Sequence, residues 1–225
     1  MEIEPVAVIR TDFREKFGIP RESLLAEGCI GRITFEPKYR DPESVRGIEG
    51  YSHLWLIFDF SENHRDGWSP TVRPPRLGGN TRVGVFASRS SFRPNSLGLS
   101  CVRLLSVENT SDGPVLTVEG ADIMDGTPVY DIKPYLRFCD SHDDAVSGFA
   151  EATAGYELEV VIPDRLSHMI PDDILIPLRC CLGQDPRPQY HSDGRVYHMR
   201  YSDIEVGFTV AGDILTVTDV IHIYE

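Results

Sequence analysis

Apolar positions in this chain fall in short runs separated by turn-forming residues. Runs rich in Val, Ile, Leu and aromatics occur at Val6–Ile9, Cys29–Phe35, His53–Phe60, Arg82–Ala87, Leu97–Val107, Val115–Glu119, Tyr156–Ile162, Glu205–Val210 and Ile214–Tyr224. Several alternate apolar with polar, as Ile214-Leu-Thr-Val-Thr does, which is the period of a strand with one buried face. Asp112-Gly113-Pro114, Asp125-Gly126, Asp193-Gly194 and Gly212-Asp213 supply turn chemistry between runs. Helical pattern is sparse. A short helix fits Pro42–Gly47, and a longer one fits Pro171–Leu182, opened by Pro171-Asp172-Asp173, closed near Gly183 and interrupted by Pro177. Many short strands without long helices between them predict a mainly β fold, a closed or nearly closed β-barrel rather than a βαβ sheet.

The polar, acidic stretch Phe138-Cys-Asp-Ser-His-Asp-Asp-Ala reads as a linker or long loop. We therefore expect a β-barrel domain over residues 1–138 and a smaller α+β domain over 139–225. A chain of 225 residues buries roughly 70% of its unfolded surface, so stability requires neither disulfide nor metal. Cys29, Cys101, Cys139, Cys180 and Cys181 form no C-x-x-C pair, and neither they nor the histidines show metal-ligand spacing. An odd cysteine count with one adjacent pair suits a reducing compartment. The acidic start Met-Glu-Ile-Glu-Pro lacks the basic end and apolar run of a signal peptide, and Leu54–Phe58 is too short to span a bilayer. A cytoplasmic protein, with no metal and no membrane partner, is expected.

Charge changes the picture through its distribution. The net charge is −13, yet between Gly67 and Val107 there is no Asp, Glu or Lys and there are six arginines, Arg73, Arg76, Arg82, Arg89, Arg93 and Arg103. That window carries +6 and leaves −19 on the rest of the chain. Arginine offers a planar fork that pairs with carboxylate or phosphate and stacks on bases; the alternative is that these arginines pair with the protein's own acids. Within the window, Pro74-Pro75 sets an extended entry, Gly78-Gly79-Asn80 permits close backbone approach, and Ser88-Arg89-Ser90-Ser91 leads to Arg93-Pro94-Asn95. A loop so dense in Arg, Ser and Asn fits a polar or anionic ligand. It is neither a phosphate loop nor a dinucleotide fingerprint. Asp122-Ile-Met-Asp-Gly-Thr-Pro-Val-Tyr-Asp-Ile-Lys-Pro-Tyr135 gathers three carboxylates, read equally well as acid–base chemistry or as turn chemistry. His53, alone in a strand-like run, reads as a core histidine.

Arg73-Pro-Pro-Arg-Leu-Gly-Gly-Asn80, Gly84-Val-Phe-Ala-Ser-Arg-Ser90, Arg93-Pro-Asn95, Asp125-Gly-Thr-Pro128, Asp131-Ile-Lys-Pro-Tyr135 and Gln184-Asp-Pro-Arg-Pro188 resemble the TsaA-like family. The resemblance extends to Glu15-Lys-Phe17, Val45-Arg-Gly47 and Ser52-His-Leu-Trp55, and so spans most of the chain. It implies a β-barrel with a smaller C-terminal domain, acting as a homodimer. It also implies S-adenosylmethionine as cofactor and tRNA as partner, with methylation of the exocyclic nitrogen of threonylcarbamoyladenosine at position 37, beside the anticodon. The implied cofactor contacts are Arg89, Leu99, the run Glu119, Gly120, Ala121 and Asp122, the pair Ser61 and Glu62, and the loop Ser23, Leu24 and Leu25. Ser61-Glu62 stands where a bacterial relative carries His-Gln.

Methyl transfer is in-line and needs orientation and exclusion of water more than a covalent nucleophile. The sulfonium is a cation that Asp122 or an aromatic face can hold. The substrate nitrogen is a poor nucleophile while protonated, so a base is expected, with Asp125 and Tyr130 as candidates and Lys133 or an arginine as stabiliser. Arg73, Arg76, Arg93 and Arg187, with Asn95, are the candidates for tRNA phosphate or the substrate's carboxylate. Two other readings are a methyltransferase of this fold acting on a small molecule, and a non-catalytic module that binds S-adenosylmethionine or RNA.

Overall fold

The structure is a computed structural model that describes residues 2–77, 80–187 and 194–223, with the side chains of Leu24, Arg76, Ala152 and Thr153 left outside that description. Twelve strands are described: β1 (Ala7–Thr11), β2 (Ile30–Phe35), β3 (His53–Asp59), β4 (Thr71–Val72), β5 (Val83–Gly84), β6 (Leu97–Thr110), β7 (Gly113–Glu119), β8 (Thr127–Pro134), β9 (Glu159–Val161), β10 (Tyr197–Tyr201), β11 (Ile204–Ala211) and β12 (Ile214–His222). The α-helices are α1 (Arg137–Asp140), α2 (Asp164–Ser167) and α3 (Asp172–Gly183). Among the described residues no helix is long and apolar enough to cross a membrane.

A closed barrel in the order β1-β2-β7-β6-β3-β8 forms from the first half of the chain, as the recurring short runs predict. Alternation decides which face points inward. Ile9, Ile33, Leu54, Leu56, Val102, Leu116, Val118 and Val129 fill the interior, all fully buried. The strand β8 that closes the barrel is one the apolar runs do not reveal. Pro128, Pro134 and Asp131 interrupt its pattern, and a register shift opposite Ile57 and Phe58 leaves Tyr130 as the extra residue of a β-bulge. The expected strand Arg82–Ala87 is shorter than its composition suggests. Only Val83–Gly84 pairs, with Thr71–Val72, and the chain then tightens into a 3-10 turn over Val85–Ala87.

A four-stranded sheet, β10-β11-β12-β9, carries the second core, with β9 parallel to β12 and the other pairs antiparallel. β10 also escaped the reading of apolar runs, although Tyr197, Met199 and Tyr201 alternate inward. Helix α3 lies where predicted despite Pro177, which lacks the N–H for one helical bond. Its ring packs on Gly28, where an added Cβ would stand 3.2 Å from the Pro177 Cδ. The second core also takes Phe13, Ala26 and Cys29 from the first half of the chain. Phe13 meets Tyr201 edge-on at 5.3 Å, the Ser202 amide donates to the Asp12 carbonyl at 2.9 Å, and the Cys29 and Cys181 sulfurs lie 3.7 Å apart. The segment between β1 and β2 therefore belongs to both halves.

Within the barrel, Gly98 occupies an inward position because the Phe58 ring fills the space a side chain would need. An alanine Cβ there would lie 2.3 Å from the ring. Overpacking of this kind costs about 1–3 kcal/mol. Gly98→Ala is expected to lower the unfolding free energy by that amount, read as a lower urea midpoint at unchanged slope; a wild-type midpoint would refute the tight packing of Phe58 on β6.

Candidate functional site

The first half of β6 is paired on one side only. From Leu97 to Arg103 it pairs with β3, whereas its pairing with β7 begins at Arg103. The open edge is met by the 3-10 turn Ser23–Leu25 and by the turn that follows β7. The second turn is tied down by the Cys29 carbonyl, which accepts from the amides of both Gly120 and Ala121 at 3.0 and 3.2 Å. Gly120 has φ +82°, and a Cβ there would come within 3.0 Å of the Ser23 carbonyl oxygen. Only glycine lets the two turns approach this closely. Along this stretch of β6 the usual polarity is reversed. Leu97 and Leu99 face outward, with Leu99 58% exposed, while Gly98 and Ser100 face inward.

Asp122 sits at this edge. Its Oδ1 is shielded from solvent and has no hydrogen-bond partner among the described residues. Burial pushes its carboxyl up to about 6, with Glu22 adding to the rise, against the Ser100 hydroxyl, its own amide and the Arg89 guanidinium, which favour the anion. Arg89 is ion-paired with Glu22, immediately before the Ser23–Leu25 turn. Glu119 accepts from the Gly28 amide at 3.3 Å and pairs with Arg103 at 3.4 Å. The edge thus gathers Arg89, Leu99, Glu119, Gly120, Ala121, Asp122, Ser23 and Leu25; the Leu24 side chain lies outside the described residues. Ser61 and Glu62 form a separate 3-10 turn after β3, where Lys16 donates to the Glu62 carbonyl and to Asn63 Oδ1. They make no hydrogen bond or ion pair with Asp122 or Arg89 among the described residues.

The two expected bases lie in different surroundings. Asp125 accepts from Arg14 at 3.0 Å, from Arg10 at 3.5 Å and from the Thr11 amide at 3.1 Å. Held by two guanidinium groups and an amide, it serves as an anchor between β1 and the turn before β8. Tyr130 faces Asp59, and its hydroxyl is raised above the ordinary phenol range by burial and by that carboxylate. A phenol so placed is a weaker acid and a poor source of phenolate at neutral pH. Asp59 also receives His64 Nε2 at 2.7 Å.

The arginines divide. Arg93 donates to the Ser88 and Val85 carbonyls at 2.7 and 3.3 Å, which makes it a brace for the loop rather than a free phosphate ligand. Arg187 is 11% exposed and paired with Asp185 at 2.9 Å, so it belongs to C-terminal packing. Lys133 pairs with Asp131 at 3.1 Å. Arg82 donates to the Thr71 hydroxyl. Arg73 and Asn95 point to solvent. The Arg76 side chain lies outside the described residues, as do Gly78, Gly79 and Pro188.

Sequence reasoning missed Ser100 and Glu22. Ser100 had a signal, a polar residue at an inward position of an apolar strand. Glu22 had none, because its partner is far away in the chain.

Asp122 makes a pH-dependent demand on stability. A free aspartate titrates at 3.8, and the folded chain raises this to about 6. The folded state therefore holds the proton more tightly, and stability falls as pH rises from about 4 to about 6. Above pH 6 the deficit is on the order of 3 kcal/mol. Asp122→Asn is expected to stabilise the ligand-free protein at pH 7.5 and leave it unchanged at pH 4, as read by denaturant titration at both values. Equal effects at the two pH values would remove the assignment.

The family model for the tRNA-methyltransferase O N-terminal domain matches residues 8–141, and that for the TrmO C-terminal domain matches residues 169–223. The tRNA (adenine(37)-N6)-methyltransferase of Escherichia coli K12 is 39% identical over 218 residues, covering 93% of each chain. A putative S-adenosylmethionine-dependent methyltransferase, RcsF, of Pseudomonas aeruginosa is 40% identical, covering 97% of this chain and 96% of its own. A crystal structure of TrmO from P. aeruginosa superposes with a TM-score of 0.78 at 35% identity, covering 99% of this chain and 97% of the other. The two family models and these relatives between them match nearly the whole length, and this chain belongs to the TrmO family.

Proposed function

We propose that this protein is an S-adenosylmethionine-dependent tRNA (adenine(37)-N6)-methyltransferase that acts on N6-threonylcarbamoyladenosine in the anticodon loop. The observation that carries the reading, within a family whose relatives bear that name, is the orphaned carboxylate oxygen of Asp122 at the open edge of β6. An anion without a partner in a shielded place suits a cationic ligand. When bound, S-adenosylmethionine supplies an electrophilic methyl group on a positively charged sulfur.

The chain's own residues do the rest. Asp122 offers the negative charge, and Ser100 orients it. Arg89, once it exchanges Glu22 for the ligand, offers a fork to a carboxylate. Leu99 presents an exposed apolar side chain, and Gly120 keeps the Ser23–Leu25 backbone close. Ser61 and Glu62 form the rim after β3. Arg73, with Asn95, faces outward toward the RNA, and the field of the arginine window favours a polyanion over the acidic remainder of the chain. A tRNA substrate is in keeping with a cytoplasmic protein. Leu97 and Leu99, turned outward on β6, give a second copy an apolar surface, in keeping with a homodimer.

Labelled methyl groups are expected in tRNA that carries threonylcarbamoyladenosine and not in unmodified transcript. Label in neither, with donor binding confirmed, would turn the reading toward a small-molecule substrate or a binding module. Donor affinity is expected to weaken about tenfold per pH unit below 6, since the cation requires ionised Asp122, and to plateau above it. Calorimetry on wild type and Asp122→Asn checks this; an identical pH profile in the variant would exclude Asp122 as the counter-charge.

A further inference from the structure

Three aromatic side chains stand in solvent on the segment that joins β3 to β6. Trp68 is 57%, Phe86 74% and Phe92 41% exposed. The Trp68 and Phe86 rings lie 6.3 Å apart at 34°. The Arg65 guanidinium carbon is 3.9 Å from the centre of the Phe92 ring, and that of Arg93 is 5.9 Å from the centre of Phe86. Leaving rings this large in water forgoes the gain of burying them, and nothing described so far uses them.

Phe86 is held outward by construction. It is the middle residue of the Val85–Ala87 turn, whose first residue is buried and whose carbonyl accepts from Arg93 and from the Ser88 hydroxyl. Trp68 stands just before β4, which pairs with β5 beside that turn, so one short hairpin fixes both rings. Arg73, exposed, follows the same hairpin. No acid occurs from Gly67 to Val107. The surface therefore combines flat π-faces with cations, and its partner needs flat faces with anions. A single-stranded nucleic acid has both, in its bases and phosphates. A nucleic acid is favoured over a protein partner by charge, because the cations here have no acid beside them from Gly67 to Val107 and a polyanion answers all of them at once.

We infer that Trp68, Phe86 and Phe92 form a stacking platform for unpaired bases of an RNA loop, with Arg65 and Arg73 beside it for the phosphates. This rests on the reading of the protein as a tRNA-modifying enzyme and says how the loop is gripped. Stacking needs no sequence readout, so the platform opens and holds the loop while specificity lies with the modified nucleotide.

Tryptophan fluorescence tests this directly, because the chain has two tryptophans. Hepta-adenylate is expected to quench wild type, an abasic oligomer of equal length to quench it less, and Trp68→Phe to lose the difference. Phe86→Ala and Trp68→Ala are expected to weaken binding of an anticodon stem-loop by roughly 10- to 100-fold at fixed salt, with S-adenosylmethionine affinity unchanged. Phe86→Tyr should retain binding, whereas Phe86→Leu, apolar but without a π-face, should not. Absence of quenching in wild type, or stem-loop affinity within twofold of wild type in both alanine variants, overturns the inference. So does a loss of dimer in sedimentation with unchanged RNA affinity, which would assign the rings to a subunit contact. The enzyme reading fails separately: a wild-type protein that is quenched by RNA but transfers no methyl group to modified tRNA keeps the platform and loses the reaction.

Discussion

Everything at the site follows from one mismatch of lengths. Strand β6 runs from Leu97 to Thr110, but β7 is short and covers only its second half. The barrel still closes, because β3 and β8 pair along the other side. What remains is a strand edge with no β7 pairing and reversed polarity, lined by turns instead of by a strand. A sheet edge left bare invites non-specific pairing. Here it is met by the Ser23–Leu25 turn and by Gly120–Asp122, both fastened through Cys29 and its neighbours. The resulting cleft brings the Ser23 carbonyl against Gly120, where only glycine leaves room.

The arginine window illustrates how one compositional feature can hold several physical roles. Arg89 and Arg103 pair with Glu22 and Glu119, as an internal charge balance would have it. Arg93 braces a turn through carbonyl oxygens. Arg73 faces water. A count of +6 is accurate as a description of the local field, but not as a count of available ligands. The fold uses guanidinium forks to stiffen the loop, and it is this stiffness that holds the neighbouring aromatic rings in the open.

Much of the barrel was legible because its strands alternate apolar with polar or run continuously apolar; β2 and β3 fall within the runs, and β1, β6 and β7 overlap them and extend two or three residues past an end. β8 did not, because its two prolines and its bulge at Tyr130 break the period that pattern-reading relies on. The same bulge carries Tyr130, whose hydroxyl is raised by burial and by Asp59, which weighs against the base role expected of it. The partners of Asp125 were hidden for a different reason: Arg10 and Arg14 lie on the opposite end of the chain's first half, and no local signal announces them. Asp122 stood out as one of three clustered carboxylates, but its role as a cofactor contact was reached only through the family resemblance. Its distinguishing property, desolvation, is a product of packing and leaves no mark on the sequence around it.

The segment between β1 and β2 has a further significance. It lends Phe13, Ala26 and Cys29 to the C-terminal core and carries Ser23–Leu25 to the site on the barrel. A ligand that settles against the turn stabilises the state in which that segment is docked, and by mass action raises the opening free energy of everything docked to it. The four-stranded sheet is therefore coupled to occupancy of a cleft to which it contributes no strand. A break in the chain near residue 138 would separate two named halves, yet it would leave the second core without three of its own side chains. In this sense the smaller half is completed by the larger one.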